Sequence, residues 1–173
     1  THPWSQGFPL TTPLEKFGGP SLPSSIDVTW EDRFYPKAWG HPALREAIVD
    51  YYNDEYGSTI TPENVMVFAG GRPGIYTVMA FLKEHVDVSI GNIEWPAYLD
   101  ILEQTNTEYK IVPFTKDNNF HPTNADYYNR EGLDDGTCLM PVISNPQNPS
   151  GQTRSGEELK ELIEMAELPG NGI

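Results

Sequence analysis

The sequence predicts an α/β domain assembled from parallel βαβ units. Three observations carry the prediction: β-branched runs alternate with amphipathic stretches, turns rich in Gly and Pro separate them, and the chain is long enough for a core of its own. With 173 residues and 38% apolar side chains, one domain is expected.

The elements follow in order. Residues 1–36 are rich in Pro, Gly and Ser and hold no sustained period of 2 or 3.6, so they read as an extended arm preceding a regular domain over 37–173. From Pro42, residues Leu44, Ala47, Ile48 and Tyr51 share one helical face. Pro42 suits the first turn, where its missing N–H costs nothing, and the helix should end near Tyr56-Gly57. Val65-Met66-Val67-Phe68 predicts a short buried strand, which a Gly70-Gly71-Arg72 turn joins to a helix over 75–82. A strand over 86–90, a helix over 95–104 and a strand over 109–114 come next, implying right-handed crossovers. The stretch from Thr115 to Gly136 reads as loop. A last strand over 138–144 runs into Asn145-Pro146-Gln147-Asn148-Pro149-Ser150-Gly151, and Ser155 with Glu158 predicts a capping box for a helix carrying Leu159, Leu162, Ile163 and Ala166.

Charge and cysteine usage narrow the function classes. Against 11 Lys and Arg stand 25 Asp and Glu, a net charge of −14 that repels phosphate backbones and anionic lipid. Neither nucleic acid nor membrane is therefore an expected partner. Cys138 stands alone, which excludes an internal disulfide and a zinc cluster and leans toward a reducing, cytoplasmic compartment. No apolar run approaches the roughly 20 residues of a membrane span, and no targeting signal is read at Thr1-His2-Pro3-Trp4. The four histidines sit in unrelated contexts and none joins a site, while the acidic residues of 126–135 read as a solvated loop.

Two motifs remain. Gly70-Gly71-Arg72 lies where free backbone N–H groups and a helix dipole favour a phosphate, although a plain tight turn reads the same way. It lacks the Gly-x-Gly-x-x-Gly spacing of a dinucleotide site and the Gly-Lys-Ser/Thr ending of a P-loop. The Asn-Pro pair over 145–151 follows the carboxyl end of a strand, where open α/β sheets place ligands; on its own it is either a capped turn or a pair of rigidly held amides.

Asn145-Pro146-Gln147-Asn148-Pro149-Ser150-Gly151 resembles the Asn-Pro-x-Asn-Pro-Thr-Gly signature of class I and II aminotransferases, with Ser150 in place of Thr. The segment from Tyr35 through Gly40 to Leu44-Arg45 is similar to the family's Tyr-x-x-x-x-Gly-x-x-x-Leu-Arg, and Trp95-Pro96-Ala97-Tyr98 to its aromatic-Pro-x-aromatic segment. The resemblance implies the large domain of the pyridoxal-phosphate (PLP) fold type I enzymes, incomplete here: a three-layer α/β/α arrangement around a mostly parallel sheet. It also implies roles. Gly70, Gly71 and Arg72 would hold the cofactor phosphate, Trp95 would stack on the pyridine and Asn148 would bond its phenolic oxygen. Tyr35 would reach the phosphate of a partner subunit in a homodimer with shared sites, and Gly7 would lie near the substrate carboxylate.

In that family a lysine holds the cofactor covalently and an acidic residue keeps the pyridine nitrogen protonated. Lys16, Lys37, Lys83, Lys110, Lys116 and Lys160 all stand in other contexts, so the chain is expected to be a fragment that is inactive alone. The expected activity of the parent protein is transfer of an amino group between an amino acid and a 2-oxo acid. The alternatives are a lyase, decarboxylase, oxidase or cyclase on the same scaffold, or a non-catalytic effector-binding module.

Overall fold

The computed structural model describes Lys16, residues 23–131, residues 137–169 and Asn171. The chain divides into two compact units, Thr1–Ala38 and Trp39–Ile173. In the described part of the first, a 3-10 turn over Glu31–Arg33 is closed by Thr29, whose N–H and hydroxyl both donate to Asp32 Oδ2 (2.6 and 2.8 Å). Trp30 meets Phe34 edge-on, with ring centroids 5.6 Å apart.

The second unit holds α1 (Pro42–Tyr56), α2 (Gly71–Leu82), β1 (Val86–Gly91), α3 (Ala97–Thr105), β2 (Tyr109–Val112), α4 (Asn124–Tyr127), β3 (Cys138–Val142) and α5 (Gly156–Ala166). The three strands form one parallel sheet in the order β2-β1-β3, with Val88 opposite Tyr109 and Val86 opposite Cys138. The α/β class and parallel sheet expected from the sequence are what the chain forms. Alternation along β1 sends Val86, Val88 and Ile90 to one face, where they pack with Met79 of α2 and with Ile101 and Leu102 of α3. Asp87, Ser89 and Gly91 point the other way, where Asp87 accepts from the Thr137 hydroxyl and Gly91 faces Phe114 of a second cluster with Val112 and Tyr127. Both faces of β1 are thus covered, as parallel strands require.

Pro42 opens α1, and Gly57 ends it with a left-handed φ of 63° and an N–H bond to the Asn53 carbonyl (3.1 Å). Several expectations are corrected. Val65-Met66-Val67-Phe68 is not a buried strand: it is extended, and Met66 is exposed. A strand needs a ladder, and here the Val67 N–H bonds Trp39 (3.0 Å) while the Val65 carbonyl accepts from Arg45 Nε (2.9 Å). Within 115–136 the chain forms the short α4, which Thr123 opens by donating its N–H to Asp126 Oδ2 (2.7 Å). The Ser155 capping box does not form, because Glu158 turns instead to Arg154 Nε (3.3 Å) and His121 Nε2 (2.7 Å). β2 also stops at Val112, one residue before Pro113, which has no N–H to donate to a ladder.

Candidate functional site

The carboxyl ends of β1 and β3 each run into a loop that carries sequence-predicted residues. After β1 come Asn92, Ile93, Glu94 and Trp95; after β3 come Ser144 and the Asn-Pro turn. The N-terminus of α2 supplies Gly70, Gly71 and Arg72.

At the start of α2, Gly70 has φ 101°, a value that side chains disfavour, and its conformation swings the chain into the helix. The helix geometry leaves the Gly71 and Arg72 N–H groups without helical acceptors. Pro73 has none to offer. A Cβ at Gly70 or Gly71 would meet nothing within 4 Å, so the backbone faces open space. The Arg72 guanidinium lies 5.2 Å from the centroid of the Trp95 ring, and Tyr98 stands edge-on to that ring at 5.3 Å. The phosphate-turn and aromatic motifs, separate in sequence, are therefore brought into contact.

The Asn-Pro turn is fastened along its length. Asn145 accepts the Arg154 N–H and donates to the Arg154 carbonyl, both at 2.9 Å. The Gln147 N–H donates to the Gln152 carbonyl and the Gly151 N–H to the Gln147 carbonyl, both at 2.7 Å. Asn148 differs: its side chain is exposed and makes no hydrogen bond among the described residues. The first Asn holds the turn, whereas the second makes no such bond among the described residues.

Sequence reasoning missed the groups beneath. Gln147, only 4% exposed, donates from Nε2 to the Ile93 carbonyl and accepts from the Ser150 hydroxyl. Glu94 is buried, and its Oε2 accepts the Ser144 N–H (3.2 Å). Burial holds this carboxyl above its ordinary range, against the pull of the Ser144 hydrogen bonds and of Arg154. Arg154 is buried too, bonded to Asn124 Oδ1 (3.3 Å) and the Pro122 carbonyl (2.5 Å), with its guanidinium 5.2 Å over the ring of Tyr127. The hydroxyl of that tyrosine is pushed up to about 12 by burial. The only sequence signal for any of these was the position of Gln147 inside the motif.

Two predicted residues remain. Tyr35 belongs to the first unit and is fully exposed at 102%. Gly7 lies outside the described residues. Among the described residues no three His, Cys, Asp or Glu side chains group as metal ligands, and no helix is long and apolar enough to cross a membrane.

Comparison with known proteins gives the same direction. The chain is 36% identical over 146 residues to an aspartate aminotransferase of Pyrococcus horikoshii, covering 83% of this chain and 36% of that protein. It is 31% identical over 114 residues to the transaminase BacF of Bacillus subtilis, covering 65% and 28% of the two. The structure of the Thermus thermophilus aspartate aminotransferase with maleate matches with a TM-score of 0.66 at 25% identity, over 77% of this chain and 34% of that one. The chain spans about a third of the length of these relatives. The family model for aminotransferase class I and II matches residues 27–169, and the chain belongs to that family.

Proposed function

We propose that this chain is the cofactor-binding part of an aminotransferase that uses PLP to move an amino group between an amino acid and a 2-oxo acid. The class I and II aminotransferase family is generally PLP-dependent. The observation that carries the proposal is the free Asn148 amide, one residue from a buried Gln147 that is tied to the segment bearing Trp95.

The residues fit such a cofactor. Two unpaired N–H groups and Arg72 at the positive end of α2 suit a phosphate dianion, and the open space beside Gly70 and Gly71 lets it approach the backbone. Trp95, with Arg72 5.2 Å from its centroid and Tyr98 edge-on to it, is the ring that would stack on an aromatic cofactor. Asn148 donates to an ionised phenolic oxygen and so favours that form. When bound, PLP supplies the electron sink that stabilises charge on the substrate carbon. The residues of this chain bind and orient; the lysine that attaches the cofactor is assigned to the remainder of the protein.

By the family resemblance we assign Tyr35 to the partner subunit's phosphate in a homodimer and Gly7 to contact with the substrate carboxylate. Exposed Phe81, Tyr52 and Tyr76 leave apolar faces on α1 and α2 that support further protein packing against this chain. A cytoplasmic location is consistent with a single cysteine.

The test uses the full-length enzyme. Trp95→Ala removes a stacking surface worth roughly 1 kcal/mol beyond its area, so PLP affinity should fall by at least fivefold. Asn148→Ala should retain PLP but shift the pH titration of its absorbance upward. Unchanged affinity in the first and an unchanged titration in the second would sink the proposal.

A further inference from the structure

We infer that Gln147 is a positioning residue, which sets the placement of Trp95 relative to Asn148 by linking the Asn-Pro turn to the segment that follows β1. The inference rests on the reading of Trp95 and Asn148 as cofactor contacts and adds a residue to which that reading gives no part.

The geometry begins with an amide that has no freedom. Gln147 is buried, and its Nε2 faces the Ile93 carbonyl, two residues before Trp95. A carbonyl only accepts, so the NH2 end of the amide must point there. Its Oε1 then faces the Ser150 hydroxyl, which has a proton to donate. The Gln147 backbone is held at both N–H and carbonyl by Gln152 and Gly151. Ser150 thus orients the amide, and the amide holds Ile93.

The other end of the link is equally constrained. Ile93 packs against the cluster of Val112, Phe114 and Tyr127, and its neighbour Glu94 accepts the Ser144 N–H (3.2 Å). Consecutive residues 93 and 94 therefore bond to the two ends of the segment 144–147. Asn148 follows immediately, and Trp95 follows on the other side. The face contact and the edge contact of one cofactor ring are thus joined through the buried Gln147, next to the Glu94–Ser144 link. This also gives the hydroxyl at position 150 a task, since without it the amide loses its acceptor-side anchor.

The experiment is a double-mutant cycle on the full-length enzyme, with PLP dissociation constant and visible circular dichroism of bound PLP as readouts. Gln147→Met keeps the length of the side chain but cannot donate to Ile93 and offers Ser150 only a weak thioether acceptor. It should weaken PLP binding about tenfold, the equivalent of one lost buried hydrogen bond, and change the dichroism. In a Trp95→Ala background the same substitution should cost less than about twofold, because the group it positions is gone. Ser150→Ala, a milder change that leaves the fold intact, should give a smaller loss with the same dependence on Trp95. An equal loss in both backgrounds, or no loss from either substitution, would overturn the inference while Trp95→Ala still weakens PLP binding and Asn148→Ala still shifts its titration. If neither of those two variants affects PLP, the underlying cofactor reading falls with it.

Discussion

Gly91 at the end of β1 offers a test in which the sign alone decides. In an open strand position, Gly→Ala stabilises by about 0.4–1 kcal/mol by restricting the unfolded chain. At Gly91 a Cβ would sit 2.4 Å from Phe114 Cε2 and 3.0 Å from Cζ. Carbon atoms pack comfortably at roughly 3.5–4.0 Å, so more than an ångström must be recovered. The ring cannot swing aside freely. Phe114 is buried against Val112 and Tyr127, and its backbone N–H is pinned by Asn92 Oδ1 (2.9 Å). Overpacking of this kind costs about 1–3 kcal/mol, which exceeds the entropic gain. Gly91→Ala should therefore destabilise by a net of up to about 2.6 kcal/mol, lowering Tm by as much as about 10 °C. Phe114→Leu, which removes the clashing edge, should recover at least half of the loss when combined with it. Thermal and urea unfolding of both variants provide the measurement. A Gly91→Ala protein as stable as the parent would refute the packing argument.

Two further outcomes are expected. Because burial raises the Glu94 carboxyl pKa, the folded state holds its proton more tightly than the unfolded state does; the stabilisation is complete below the ordinary 4.5 and is lost as pH rises through the folded value. Glu94→Gln keeps an acceptor for Ser144 and cannot ionise, so its Tm should fall less than that of the parent between acid and neutral pH. Parallel curves would show that Glu94 is not the group responsible. If Tyr35 serves the partner subunit, mixing Tyr35→Phe subunits with subunits lacking the PLP lysine should restore activity through hybrid dimers with one intact site. Activity no higher than that of the separate variants would confine each lesion to its own subunit.

Much of the fold was legible because its elements are encoded locally. The start of α1 at Pro42 and its end at Gly57, the helix of α3 and the β-branched β1 each follow from a few neighbouring residues; the apolar stripe Leu44, Ala47, Ile48 and Tyr51, by contrast, is largely exposed. The failures have a common cause. Val65 to Phe68 have the composition of a strand, but whether such a segment pairs depends on what lies beside it, and its bonds go to Arg45 and Trp39. Ser155 and Glu158 have the spacing of a cap, but the buried Arg154 and the ring of His121 compete for the carboxylate. The same holds at the site. Motif order brought Arg72, Trp95 and Asn148 forward, whereas Gln147 and Glu94 gain their importance from Ile93 and Ser144, which are about fifty residues distant in sequence.

The strand order also bears on how the chain assembles. β1 pairs with β2 across 21 residues (Val88 to Tyr109) and with β3 across 52 (Val86 to Cys138). Loop-closure entropy makes the longer connection costlier by about 0.8 kcal/mol before any contact rewards it. The β1-α3-β2 crossover unit is therefore the favoured nucleus, with β3 adding to the free edge of β1 afterwards. The loops that meet at the carboxyl ends of β1 and β3 cannot come together until that late step. Binding competence is thus acquired at the end of folding, and amides of β1 that donate toward β2 should gain protection from exchange before those that donate toward β3.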